Sequence, residues 1–207
     1  EAAHEGFFGF GRQALEAEEA RKKALLPHAP TGQEHWSAAS RGNTGDGLRL
    51  GEAAGGQVAR DAVQAAALAP VSLVPRADGS VAHFPHLVER AKPGLIAVTA
   101  AGQRFTNEAD SYYDFVSGML AGTPAGAPVQ AWLVCDHAFI RHYGLGAVKP
   151  APMPMGAMLR NGYLQRGTTL ADLAQACGID AAGLQATVAR YNQQALTGVD
   201  ADFAKGD

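Results

Sequence analysis

The sequence predicts an α+β fold, and three observations carry that reading. Leu95–Ile96–Ala97–Val98 is an apolar run of strand length, and a turn at Ala100–Ala101–Gly102 returns it as a second strand over Gln103–Arg104–Phe105–Thr106. Thr168–Gly178 and Asp180–Gly198 make a helical hairpin, with Leu184, Val188, Tyr191 and Ala195 at helical spacing. Nowhere does a hydrophobic strand lead into three spaced glycines and a helix, the opening of a nucleotide-binding βαβ unit.

From the N-terminus, Gly6–Gly11 (GFFGFG) has a glycine-x-glycine spacing, but it lacks the preceding strand, third glycine and later acidic residue that a dinucleotide cradle requires. Arg12 to Leu26 reads as a helix ended by Pro27, its charges paired one turn apart at Glu18–Lys22 and Glu19–Lys23. In Asn43–Thr44–Gly45–Asp46–Gly47 the glycines permit tight backbone around Asp46, and a short helix begins at Leu48–Arg49–Leu50. Taken alone, this string is a turn with Asp46 as a helix cap. Pro70–Val71–Ser72–Leu73–Val74–Pro75 looks like a strand between prolines, followed by a turn over Ala77–Ser80. His83 and His86 are three apart, but Pro85 between them and the missing partner at ligand spacing argue against zinc. They read as surface or pocket-wall histidines.

Asn107–Glu108 closes the central hairpin, and a helix starts near Asp110, capped by that residue or by Ser111. Tyr112 and Tyr113 then stand at its first turn, beside unsatisfied backbone donors. Gln130 to Asp136 is a buried strand with Trp132, Val134 and Cys135 as core candidates, and Asp136 caps a helix from Ala138 to Tyr143. Proline-rich Gly144 to Gly156 fits neither helix nor central strand, leaving a mobile flap or ordered irregular packing open. Thr168 or Thr169 caps Leu170–Cys177, which ends at Gly178.

Composition excludes several function classes. With 47% hydrophobic and 18% charged residues the 207-residue chain reads as ordinary soluble globular protein, and a net charge of −3 gives no case for nucleic acid or an anionic membrane as partner. No apolar run has membrane length and no signal peptide is visible, so a cytoplasmic location is expected. Cys135 and Cys177 sit among apolar neighbours and read as buried free thiols, neither a disulfide framework nor a metal site. Glu1 is not a natural start, and the chain reads as a cut or processed piece.

Gly102–Gln103–Arg104–Phe105–Thr106–Asn107–Glu108 followed by Ser111–Tyr112–Tyr113–Asp114–Phe115 resembles the flavoprotein family that includes fumarate reductases and 3-ketosteroid Δ1-dehydrogenases. The resemblance extends upstream through GNTGDGLRLGEAAGG and downstream through AWLVCDHAFIRHYGLGAVKP, covering roughly Thr31 to Lys205 as ordered blocks. It implies FAD as cofactor in the intact protein. It also implies that this chain is the substrate-binding cap domain over residues 57–198, flanked by a hinge at 1–56 and a return segment at 199–207, without a complete FAD domain. Thr44, Gly45, Asp46 and Gly47 are then the segment lying against FAD, with Asp46 as the polar contact.

The resemblance also implies a reaction. In flavin desaturations a base removes a proton from carbon next to a carbonyl while hydride passes to the flavin. Fumarate reductases place an arginine in the helix after the Asn-Glu motif; here Tyr112 stands there, as in the steroid enzymes. Tyr112 is therefore the candidate proton-transfer group, and a tyrosine needs help from donors or a helix N-terminus to act as a base. Without the resemblance it reads as a packing tyrosine. Arg104, Asn107 and Glu108 read as hairpin and helix-entry supports. The expected substrate is a small ketone or steroid-like molecule, with the FAD domain of the same parent chain as partner and the isolated piece inactive. An autonomous binding domain that lost the flavin is the alternative, and a histidine-dependent metal hydrolase a third, revived only by stoichiometric zinc.

Overall fold

The computed structural model describes residues 46–58 and 67–206. The expected helix over Arg12–Leu26 and the GFFGFG segment lie outside the described residues. Contacts divide the chain into two compact units, Glu1–Ala67 and Leu68–Asp207. In the first, α1 (Asp46–Ala53) is a helix, closed by hydrogen bonds from Ala54 N to Leu50 O and from Gly56 N to Gly51 O.

The second unit has few strands, and they pair as two separate two-stranded antiparallel sheets. In one, β1 (Val71–Pro75) pairs with β2 (Val81–Pro85), Ser72 opposite Phe84 and Val74 opposite Ala82. The two strands are joined through the expected turn, where Gly79 has φ +80 and the Arg76 amide donates to Ser80 O. Ser72, Val74, Ala82 and Phe84 are half-buried while Leu73, Pro75, Val81 and His83 are exposed, the alternation of a sheet with one open face.

In the other sheet β3 (Leu95–Val98) pairs with β4 (Trp132–Cys135), Ile96 opposite Val134. Every residue of β3 is buried, because both of its faces are covered. Ile96 and Val98 pack with Val134, Ala174, Ile179 and Leu184, the last three from the helical hairpin of α5 (Leu170–Cys177) and α6 (Ala181–Thr197). On the opposite side Leu95 packs with Phe139, Ile140 and Val148. Phe139 and Ile140 belong to α3 (His137–Tyr143), whose N-cap is Asp136, accepting from the Phe139 amide at 2.7 Å. Val148 lies in the proline-rich stretch, which packs as ordered irregular chain leading to α4 (Gly156–Arg160).

The caps follow the sequence closely. Thr169 forms a capping box with Asp172, and Gly178 ends α5 in the left-handed region. Asp180 accepts from the Gly183 amide, and its own amide donates to Ala100 O at 2.8 Å. The turn after β3 thereby docks on the start of α6, at a close approach that two glycines permit. A Cβ on Gly102, at φ +71, would strike the Leu184 backbone, and one on Gly183 would strike Ala101 O.

One expectation is corrected here. Gln103–Thr106 does not return as a second strand; a single bridge, Val98 with Arg104, is all that forms. Side chains occupy the free edge of β3 instead. The Ala97 amide donates to Glu108 Oε1 at 3.0 Å, and Leu95 O accepts from Lys205 Nζ at 2.6 Å. A carboxylate and an ammonium thus satisfy backbone groups that a strand partner would otherwise take.

Candidate functional site

Tyr112 is the first residue of α2 (Tyr112–Ala121) and is 44% exposed. Ser111 is the N-cap: its hydroxyl accepts from the Asp114 amide at 3.2 Å and donates to the Asp114 carboxylate at 2.7 Å. Two of the next residues, Phe115 and Val116, are buried, so the helix is anchored from within while its first side chain stays open.

The loop before Tyr112 is held by charge. Glu108 is 0% exposed and receives Arg104 through both oxygens, at 2.8 Å each, besides the Ala97 amide. Arg104 reaches on to Asp200 at 3.0 and 2.8 Å, and Lys205 Nζ stands 3.3 Å from Glu108. The Arg104 guanidinium lies between rings, 5.2 Å from the Tyr191 centroid and 4.9 Å from that of Phe203. Burial works against the Arg104 charge, but hydrogen bonds to Glu108 and Asp200 outweigh it and raise its pKa. Burial likewise opposes the Asp200 carboxylate, yet the bonds and charge of Arg104 pull it down to about 2. Burial lowers Lys205, with Glu108 holding it up. Arg90, also buried, donates to Glu108 O at 2.7 Å and to Asp110 O at 3.2 Å. Arg104 and Glu108 are therefore supports, as the sequence suggests, and Asn107 joins them by accepting from the Ala109 amide at 2.8 Å.

A second polar cluster holds the β1–β2 hairpin. His86 Nδ1 meets Glu89 Oε1, His86 Nε2 lies 2.8 Å from Ser72 Oγ, and Ser72 Oγ lies 2.7 Å from the Tyr163 hydroxyl. The Ala147 amide donates to that hydroxyl at 3.0 Å. Burial raises the Glu89 carboxyl, but its bond with His86 prevails and leaves it below the usual range. A serine, an imidazole and a carboxylate in this order have the geometry of an activated nucleophile. Ser72 Oγ is also held by Tyr163, and the Ala147 donor is spent on the same phenol, so the cluster serves as a clasp. Gly146 makes room for it, since a Cβ there would fall on the Tyr163 hydroxyl and within 2.9 Å of His86 Cε1. His86 is buried rather than a surface histidine, and among the described residues no group of three His, Cys, Asp or Glu could hold a metal ion.

Of the expected flavin-facing residues, Thr44 and Gly45 lie outside the described residues. Asp46 opens α1, and Gly47 follows it in the first turn. Gly47 is exposed, and a Cβ built on it meets nothing within 4 Å. Nothing within the described structure requires a glycine there. Asp46–Gly47 and Tyr112 belong to different compact units. Sequence reasoning missed the clasp and the parts of the charge network contributed by Asp200 and Lys205. Ser72 and Tyr163 stand 91 positions apart, and no local pattern marks them as partners.

The chain is 40% identical over 185 residues to the 4-oxocyclohex-2-ene-1-carboxylate 5-dehydrogenase of Sinomonas cyclohexanicum, covering 89% of this chain and 31% of that protein. It is 33% identical to the 3-oxosteroid 1-dehydrogenase of Mycobacterium tuberculosis, covering 83% of this chain and 30% of the relative. It thus spans about a third of the length of these relatives. Among solved structures, 3-ketosteroid Δ1-dehydrogenase from Sterolibacterium denitrificans in complex with 1,4-androstadiene-3,17-dione superposes with a TM-score of 0.66 at 34% identity, over 83% of this chain and 30% of that one. The open conformation of a flavocytochrome c3 fumarate reductase gives 0.51 at 20% identity over 98% of this chain and 31% of that one, a likeness of fold.

The FAD binding domain family model matches residues 5–207. That match corrects the expected fold class, an α+β cap domain with flanking hinges and no complete FAD domain. The expectation came from the resemblance and agreed with the missing glycine fingerprint, but such a fingerprint marks only the phosphate-contacting edge of a nucleotide-binding domain. Residues of the domain away from that edge need no spaced glycines. Matched over nearly its whole length, and similar to the dehydrogenases named above, this chain belongs to the FAD binding domain family, whose cofactor is FAD.

Proposed function

We propose that this chain is part of an FAD-dependent dehydrogenase that desaturates a carbon–carbon bond next to the carbonyl of a small cyclic ketone, with Tyr112 as the proton-transfer group. The observation that carries the reading is a half-open phenol at the first position of a capped helix, its approach loop fixed by buried charges. The names of two relatives, which describe dehydrogenation of an oxocyclohexene carboxylate and of an oxosteroid, support a ring ketone as substrate class.

Bound FAD supplies the hydride acceptor. The chain contributes the rest. As the phenolate, Tyr112 Oη takes the proton from the carbon adjacent to the carbonyl while the neighbouring carbon gives up its hydride, and the positive end of the α2 dipole favours negative charge close to it. Arg104, Glu108 and Asp200 keep the approach loop rigid, so that the phenol meets its substrate in one geometry. Thr44, Gly45, Asp46 and Gly47 are the segment that lies against the flavin in this reading, with Asp46 as polar contact.

Anaerobic mixing of the flavin-loaded protein with 4-oxocyclohex-2-ene-1-carboxylate, and separately with a 3-oxosteroid, tests this. Bleaching of the flavin band by either ketone is expected. A flavin band that neither ketone bleaches contradicts the reading.

A further inference from the structure

Arg90 is 2% exposed and the bulkiest of the fully buried side chains among the described residues. Its guanidinium donates to three backbone carbonyls: Nε to His86 O at 2.8 Å, Nη1 to Glu108 O at 2.7 Å and Nη2 to Asp110 O at 3.2 Å. Its face lies over the Phe115 ring, 4.7 Å from the centroid. Phe115 in turn meets Phe105 edge-on at 5.2 Å.

These contacts bracket one residue. Asp110 stands two positions before Tyr112 and Phe115 stands three after it, one helical turn along the same face. Tyr112 is half-open to solvent, so packing steadies its side chain only in part and the backbone at the start of α2 sets where it begins. A planar fork of five donors can hold two loop carbonyls and a ring together, whereas an ammonium offers a point charge.

We propose that Arg90 is the positioning residue of Tyr112, fixing the entry and first turn of α2 through the Glu108 and Asp110 carbonyls and the Phe115 ring. The proposal rests on the role given to Tyr112 above. Arg90 does not touch the reacting atoms; it acts by holding the backbone that carries the phenol.

Two readouts on the flavin-loaded protein test it, with Arg90→Lys, Tyr112→Phe and the double variant. Amide exchange at Asp114 and Phe115 should quicken about tenfold in Arg90→Lys while Leu184 in α6 keeps its protection, a local loosening without loss of the fold. The rate of flavin reduction should fall about 10- to 100-fold at nearly unchanged substrate affinity. The double variant should be no slower than Tyr112→Phe, because both changes remove the same function. Wild-type exchange and rate in Arg90→Lys beside a slow Tyr112→Phe overturns the positioning alone, as does a double variant slowed by the product of the two factors. A full rate in Tyr112→Phe overturns the role of Tyr112 itself, whatever Arg90 does. Should Arg90→Lys not fold, Phe115→Leu removes only the ring beneath the guanidinium. It must show the same two changes in smaller measure, and wild-type behaviour there overturns the proposal.

Discussion

The free edge of β3 and the β1–β2 hairpin are two answers to the same need, satisfied polar groups around a sheet of only two strands. At β3 both faces are covered by helices, and the edge is closed by buried charges: Glu108 on the Ala97 amide and Lys205 on Leu95 O, with Arg104 and Asp200 completing the network. The β1–β2 pair leaves Leu73 and Val81 open on its outer face and is tied down by the Ser72–His86–Glu89–Tyr163 clasp. The difference lies in what failure costs. A buried ionic network holds only while every member is present, since removal of one strands the others in a poor solvent for charge. A half-buried clasp that loses a member can still draw on water.

The sharpest way to break that comparison is Glu108→Ala. It strips the partner from Arg104, Lys205 and the Ala97 amide at once, and a loss of about 3–5 kcal/mol in denaturant unfolding is expected. A loss no larger than that of an exposed substitution would mean the edge is not held by charge.

Acid should reach the same network next. Asp200 is drawn from its ordinary 3.8 to about 2, a carboxyl lowered in the folded state. Its contribution is therefore full above its unfolded value, and it is lost as pH falls from about 4 through about 2. The shift corresponds to about 2 kcal/mol, and Asp200→Asn should remove that part of the acid sensitivity. An unaltered acid profile in the variant would place the titrating group elsewhere.

His86→Ala tests the other side. It leaves Ser72 and Glu89 short of a partner, at about 1–3 kcal/mol, and the damage should stay local. Amide exchange should quicken in β1 and β2 and hold in β3. Exchange that quickens equally in both sheets would show that the two regions unfold as one.

The smallest effect is expected at Asp202→Ala. Arg190 and Asp202 repeat the arginine–carboxylate chemistry of Arg104 and Asp200 in the same C-terminal segment, but with Arg190 63% exposed. Solvent screens such a pair, and the unfolding midpoint should hardly move.

Much of the local structure was legible in the residues themselves. Ser111, Asp136, Thr169 and Asp180 cap their helices where the sequence expects helices to begin, because a short polar side chain next to an apolar period leaves few other readings. The strand at Leu95–Val98 is likewise a property of its own residues. Its partner is not. Gln103–Thr106 has strand composition and follows a true turn, but Glu108 and Lys205 take the edge first, and a side chain reaching a backbone amide leaves no periodic trace. Tyr112 could be picked out only through a resemblance. Its burial and setting are ordinary for a tyrosine, and the elements that steady it, Arg90 and the Asp200–Lys205 segment, come from distant parts of the chain. The expected cap domain failed differently: a resemblance over part of a family member, beside a missing motif at one edge of a domain, does not say which domain the residues far from that edge belong to.

Rapid mixing of the flavin-loaded Tyr112→Phe variant with a ketone that reduces the parent protein tests the central claim most directly. The account predicts that the rate of flavin reduction falls about 100-fold or more while FAD content stays that of the parent. Flavin reduction at the parent rate would remove Tyr112 from the chemistry.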